Sequence, residues 1–260
     1  VIIAVKRVKR HAQKPTVVVD IRNAEHRLDA RASRKYKEVT MQFTDRIEAR
    51  RLLAKKLHAY ANRSDVIVLA LPRGGVPVAY EVARALNVPL DVFLVRKLGV
   101  PGHEELAMGA IATGNVRVLN EELVNDLGIP DEWIEQVAAR EQRELARREK
   151  VYRGSSPSIN VRGSTVIVVD DGLATGSTMR AAVNALKSLG PAKIIVATPV
   201  AARETCESFK TDLDASCICV MSPEPLQGVG LWYRDFSQTT DEEVCYLLKQ
   251  AKQPPHRRVA

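Results

Sequence analysis

Apolar positions along the chain fall into clear rhythms from residue 44 onward. Ala49, Leu52, Leu53, Leu57 and Tyr60 recur on one face at helical spacing and predict a helix over about 45–61, with Thr44 as its cap. Val66–Leu71 is an unbroken apolar run and predicts a strand buried on both faces. Pro72-Arg73-Gly74-Gly75 follows as a turn, and Pro77 opens a helix that runs to about Leu86. A second strand is expected over Asp91–Arg96, then a polar, glycine-containing stretch, Lys97–Leu106, then short strands at 107–112 and 116–119. Residues 131–150 predict a long charged helix carrying Trp133, Ile134, Val137 and Leu145, and Gly154-Ser155-Ser156-Pro157 reads as a linker. Thr165–Asp170 has the clearest strand pattern. A turn leads from it into a helix over 178–189, with Met179, Ala182, Val183, Leu186 and Leu189 in register and Gly190-Pro191 as its stop. Further strands are expected at 193–198 and 216–221. Buried-type strands alternating with helices predict an α/β fold, a mainly parallel sheet with helices on both faces.

Composition narrows the class. With 45% apolar and 27% charged residues in 260, the chain is neither wholly disordered, nor collagen-like, nor a small disulfide scaffold. No apolar run reaches the length of a membrane-crossing helix, and VIIAV at the start is too short for a signal-peptide core. The net charge of +8 divides unevenly: residues 1–40 hold +7 and residues 41–260 only +1. Aromatic residues are 5% of the chain, so a base-stacking, positively charged surface is not expected, and neither is a nucleic-acid partner. Cys217-x-Cys219 lacks a second ligand pair at zinc-like spacing, so reduced, partly buried thiols and a cytoplasmic location are expected. Residues 1–40 read as a basic tail, disordered or a non-native extension ahead of Met41. A genuine basic arm is the other reading. Residues 251–260 read as a second tail.

Chemistry concentrates in VIVVDDGLATGST, residues 166–178. A buried strand ends at two adjacent carboxylates, Asp170 and Asp171. A short loop with Gly172 and Gly176 then enters a helix whose first turn is rich in hydroxyls. Ligands of open α/β sheets bind beyond the carboxyl ends of the strands. Backbone N–H groups of 174–178, with the hydroxyls of Thr175, Ser177 and Thr178, suit an anion there. The paired acids would repel a phosphate, so they call for sugar hydroxyls or a magnesium-bound ligand. The stretch is neither a Walker loop nor a dinucleotide fingerprint.

The stretch resembles the phosphoribosyl-pyrophosphate signature of type I phosphoribosyltransferases, and the order of elements agrees with that family over about 42–245. The resemblance implies that Asp170 and Asp171 hold the ribose 2- and 3-hydroxyls and meet Mg2+ indirectly, through ligand or water. It implies that Ala174, Thr175, Gly176, Ser177 and Thr178 hold the 5-phosphate. Arg73, Gly74 and Gly75 resemble the pyrophosphate loop, which in the family often carries a strained or cis peptide, although such a turn is also an ordinary strand-to-helix connection. Arg96 and Lys97 stand where the family has basic residues near pyrophosphate. Asp170, Asp171, Arg73 and Lys97 are the catalytic candidates.

Leu98–Met108 stands where the family has a mobile catalytic loop that excludes water, with His103, Glu104 and Glu105 as weak acid–base candidates. Trp232, Tyr233 and Phe236, within a hood at about 223–245, would either stack on a flat base or pack the C-terminal part on the core. Residues 121–158 are an insertion, read as a helical flap, an oligomer contact of a homodimer, or a solvated charged helix. Ala174 departs from the hypoxanthine–guanine enzymes, which place an aspartate there. The expected activity is Mg2+-dependent transfer of 5-phosphoribosyl from phosphoribosyl pyrophosphate to a nitrogenous base, as in nucleotide salvage, with release of pyrophosphate. Two alternatives stay open: a sensor that binds the same ligand without turnover, and a partner domain of a fused enzyme.

Overall fold

A computed structural model describes residues 43–252. The expectations for residues 1–40, and for 251–260 beyond Lys252, lie outside the described residues. Strands β1 (Val66–Ala70), β2 (Leu90–Val92), β6 (Thr165–Val169), β7 (Lys193–Val200) and β8 (Ser216–Met221) form a five-stranded sheet in the order β2-β1-β6-β7-β8. Every neighbouring pair in it is parallel. The apolar runs explain why this sheet is covered on both faces. Val66, Val68, Ala70, Ile167 and Val169 point to one buried cluster, and Ile67, Leu69, Val166 and Val168 to the other.

Helices α1 (Arg46–Lys56) and α2 (Gly75–Leu86) cover the first face, where α2 buries Val76, Val78, Val82 and Leu86. Helices α5 (Ser177–Ser188) and α6 (Arg203–Leu213) cover the second, through Met179, Val183, Leu186 and Phe209. The cap of α1 is Asp45, not Thr44: the Asp45 carboxylate accepts the Glu48 N–H at 2.8 Å, and Glu48 accepts the Thr44 N–H at 2.7 Å. The helix ends at Lys56, and His58–Tyr60 form a separate 3₁₀ turn.

The expected second strand, 91–96, is two strands. It breaks at Phe93 and Leu94, where the chain leaves the parallel sheet as β2 and enters a separate antiparallel one as β3 (Val95–Val100). Strand β3 pairs with β4 (His103–Ala112), which pairs with β5 (Val116–Leu119). The stretch 98–108 is therefore a hairpin arm turning at Pro101-Gly102, where Gly102 has φ +79°. Its glycines and acids resemble a loop, but the strand ladder needs only backbone groups. Gly99 is required by that pairing, since a Cβ there would lie 2.6 Å from the Glu104 carbonyl oxygen.

Helix α3 (Glu121–Asp126) and the longest described helix, α4 (Asp131–Arg153), follow. One face of α4 is buried through Ile134, Val137, Ala138, Glu141, Leu145 and Tyr152, so α4 is not a solvated charged helix. The end of α4 is tied to β2: Arg153 Nε and Nη2 donate to the two Asp91 carboxylate oxygens at 3.1 and 3.0 Å, with both side chains largely buried. Helix α7 (Asp241–Ala251) packs beside it.

The expectation of reduced thiols is corrected at one pair. Cys206 on α6 and Cys217 on β8 form a disulfide, because α6 packs on β8 and brings their Cα atoms to 5.4 Å. Cys219 and Cys245 are free. Among the described residues no helix is long and apolar enough to cross a membrane.

Candidate active site

Two strand-to-helix turns meet at the carboxyl ends of neighbouring strands. The first, Leu71–Gly75, leaves β1 and contains a cis Pro72–Arg73 peptide. The second, Asp170–Ser177, leaves β6. Their contact is intimate. A Cβ on Gly74 would fall 1.9 Å from Asp171 Oδ2, and one on Gly75 would fall 2.6 Å from the Val169 carbonyl oxygen. Only glycine lets the first backbone come this close to the paired acids.

Both turns hand over a helix start whose N-cap residue is a glycine. Gly74 is the N-cap of α2 and Gly176, at φ +68°, that of α5. At α2 the Gly75 and Val76 N–H groups already donate to the Leu71 and Arg73 carbonyls at 3.1 and 3.0 Å and Pro77 carries none; the start of α5 presents backbone N–H groups with partial positive charge, the elements of an anion site. In the second turn Ala174, Thr175, Ser177 and Thr178 are exposed while Gly176 is buried. The turn is held from below: the Leu173 N–H donates to the Val200 carbonyl at 2.9 Å, and the Thr205 hydroxyl donates to the Ala174 carbonyl at 2.7 Å. Its exposed hydroxyl residues thus stand on a fixed backbone, with Thr175 Oγ1 accepting the Ser177 N–H at 3.4 Å.

Asp170 accepts the Asp171 N–H at 2.9 Å. Burial first, and the neighbouring Asp171 charge second, push the Asp170 carboxyl well above the usual carboxylate range. A carboxyl raised in this way keeps its proton longer in the folded than in the unfolded chain. The stability it contributes is complete below the ordinary carboxylate value and is lost as pH climbs through the raised one. The ligand-free protein is therefore expected to lose stability from about pH 4 upward. In Asp170→Asn this fall should flatten, which thermal midpoints recorded across that pH range will check.

The structure gives each basic candidate a different partner. Lys97 Nζ lies 3.5 Å from Ser177 Oγ, so it reaches the second turn from β3. Arg73 Nη1 lies 3.8 Å from Asp241 Oδ1 at the start of α7. Arg96 donates through Nε and Nη2 to Glu141 Oε2 of α4, at 2.8 and 2.6 Å. No sequence pattern marks Asp241 or Glu141, because each meets its arginine only through the packing of a distant helix. Asp241 also accepts the Tyr152 hydroxyl at 2.6 Å, and burial with this bond raises that phenol to about 12.

The aromatic candidates separate. Tyr233 is buried, with Phe43 and Phe236 ring centroids at 5.3 and 5.0 Å, and its hydroxyl donates to the Asp171 carbonyl at 2.6 Å. Its ring packs the segment onto the core and its hydroxyl braces the acid pair, as the second of the two readings of this segment has it. Trp232 is half-buried against the same cluster and Phe236 stays at the surface. Val229 closes over Gly172, where a Cβ would lie 2.1 Å from its Cγ1. His103, Glu104 and Glu105 sit exposed near the tip of the β3–β4 hairpin.

Comparison with known proteins bears on the family and the fold. The model of the phosphoribosyl transferase domain matches residues 40–231. A Mycobacterium tuberculosis (strain H37Rv) protein with a provisional phosphoribosyl transferase name is 41% identical over 209 residues, covering 80% of this chain and 47% of the relative. The chain thus spans about half the length of these curated relatives. The bifunctional protein PyrR of Haemophilus ducreyi is 45% identical over 56 residues, 22% of this chain and 31% of that protein. The crystal structure of TT1426 from Thermus thermophilus superposes with a TM-score of 0.74 at 40% identity, covering 81% of this chain and 99% of that one.

Proposed function

The chain belongs to the type I phosphoribosyltransferase family, and from that premise we propose that it transfers 5-phosphoribosyl from phosphoribosyl pyrophosphate to a nitrogenous base, as in nucleotide salvage. The observation that carries this reading is the contact of the two turns. One ligand with a phosphate at one end, a diphosphate at the other and a diol between them fits the open start of α5, the carboxylate pair, and the glycine turn beside Arg73 that packs against that pair. In this reading Asp170 and Asp171 accept from the ribose hydroxyls, residues 174–178 hold the 5-phosphate, and Arg73, Gly74 and Gly75 hold the diphosphate with Arg96 and Lys97.

A nitrogen of the base forms the new bond to the anomeric carbon as the bond from that carbon to the diphosphate oxygen breaks, and pyrophosphate leaves with the electron pair. Positive charge on the ribose ring is offset by the two acids. Negative charge on the leaving group is met by Arg73, Lys97 and backbone N–H donors that need no rearrangement. Trp232 and Phe236 are the base-side candidates, with Tyr233 as their support. Ala174 offers no carboxylate to a purine, in keeping with an acceptor other than hypoxanthine or guanine.

The donor set fits magnesium. Two carboxylates stand beside an anion-binding turn, and among the described residues no three metal-ligating side chains form a cage, the arrangement in which this ion is shared between one or two carboxylates and substrate phosphates. When bound, it would neutralise charge on the diphosphate.

The test is pyrophosphate release from phosphoribosyl pyrophosphate and Mg2+ over a panel of purine and pyrimidine bases. Release with one base class is the expected result. Tight binding of phosphoribosyl pyrophosphate without release for any base would replace this reading with that of a sensor.

A further inference from the structure

Helix α4 carries no role in the proposed chemistry, yet it lies against the site. Leu145 and Arg148, one turn apart on α4, line a cavity of about 20 Å³ together with Pro72 of the first turn, Arg96 of β3 and Thr178 at the start of α5. That is room for one water, or for one oxygen of a bound group. Arg148 stands half-buried at this junction, and its Nε donates to Glu144 Oε1 at 2.7 Å. Glu144 also takes two bonds from Arg147, at 2.8 and 3.0 Å. These two arginines draw the Glu144 carboxyl down to about 2, so it stays an anion and holds both cations in place. Arg147 is the more exposed of the two and does not line the cavity.

We propose that α4 contributes a substrate-binding residue, with Arg148 donating to the diphosphate of phosphoribosyl pyrophosphate where the two anion-binding turns meet. This rests on the reading given under Proposed function and adds a residue from outside the family's common core. The cavity wall joins Pro72 of the first turn and Thr178 at the start of α5 to Arg148, so an oxyanion held between them comes within its reach. A helix start alone contributes little against a doubly charged group, and a planar guanidinium adds paired, charge-assisted N–H bonds. Arg96 is held by the buried Glu141, which Arg140 also bonds, whereas Glu144 is a partly exposed partner that Arg147 also bonds. Of the two α4-paired arginines at the cavity, Arg148 therefore yields to an incoming anion at the smaller cost.

Calorimetry on the full chain, with Mg2+ and phosphoribosyl pyrophosphate and separately with inorganic pyrophosphate, tests this. Arg148→Met is expected to weaken both by about tenfold and Arg148→Lys by less. Arg147→Met removes the same charge and a bond to the same carboxylate, and should leave both affinities within about twofold. The KM for the base should not move in any of them. If Arg148→Met does not fold, the comparison of Arg148→Lys with Arg147→Lys decides. Wild-type affinity in the Arg148 variants, or an equal loss in the Arg147 variant, overturns this inference and leaves the family reaction standing. Failure of the wild-type chain to bind either ligand overturns both.

Discussion

Replacing Asp171 by asparagine is expected to lower the rate of pyrophosphate release by about a hundredfold at saturating phosphoribosyl pyrophosphate, with little change in thermal midpoint. Asparagine has nearly the same shape, so the close fit against Gly74 survives, and so does the bond from the Tyr233 hydroxyl to the residue 171 carbonyl. What disappears is the charge facing the ribose ring and a carboxylate oxygen able to accept from the diol. Such a group acts most strongly when positive charge builds on the ring, so the loss should fall on kcat more than on KM. The substitution also removes the charge that helps raise Asp170, so the Asp170 carboxyl should ionise at lower pH than in the wild type. Initial rates and thermal midpoints measured side by side check this. A variant that turns over within about twofold of wild type, at equal stability, would remove Asp171 from the reacting centre.

Gly75→Ala is expected to damage stability and ligand binding together. The new methyl carbon would sit 2.6 Å from the Val169 carbonyl oxygen and 3.0 Å from Asp170 Cα. Both are backbone atoms of β6 and its carboxyl end, so neither moves without shifting the strand that carries the acids. Forced overpacking of this kind costs about 1–3 kcal/mol, and the displaced acid pair should weaken phosphoribosyl pyrophosphate binding by at least about tenfold. Gly74→Ala makes a discriminating comparison. Its methyl carbon meets the Asp171 carboxylate at 1.9 Å, a closer approach but to the end of a side chain that swings aside. Gly74→Ala should therefore unfold at a higher denaturant concentration than Gly75→Ala, while turnover suffers in both. The reverse order of stability would mean that the β1 turn is not braced against the β6 backbone as described.

The elements legible from the residues share one property: their signal is local. Val66–Leu71 and Val166–Val169 are continuous apolar runs, and a strand with helices on both faces buries every residue whichever way it points. The acid pair and the glycine–hydroxyl turn lie within one short stretch, so their chemistry stands in the order of the residues. Of the hairpin at 95–112 the sequence marks the ends, 95–96 and 107–112, and hides the arm between them, because that ladder uses backbone groups and tolerates polar side chains.

By itself, the amino-acid sequence determined the α/β class, the main strands and helices, and the place of the anion-binding turn, since each rests on contacts made within a few residues. Only the tertiary structure decided which groups face one another across long stretches of chain: Gly74 with Asp171, Arg96 with Glu141, Arg73 with Asp241, Cys206 with Cys217, and Tyr233 with the acid pair. Those pairings follow from strand order and helix docking. Strand order and docking are set by the collective burial of two apolar faces, a property of the whole chain that no short window of residues contains.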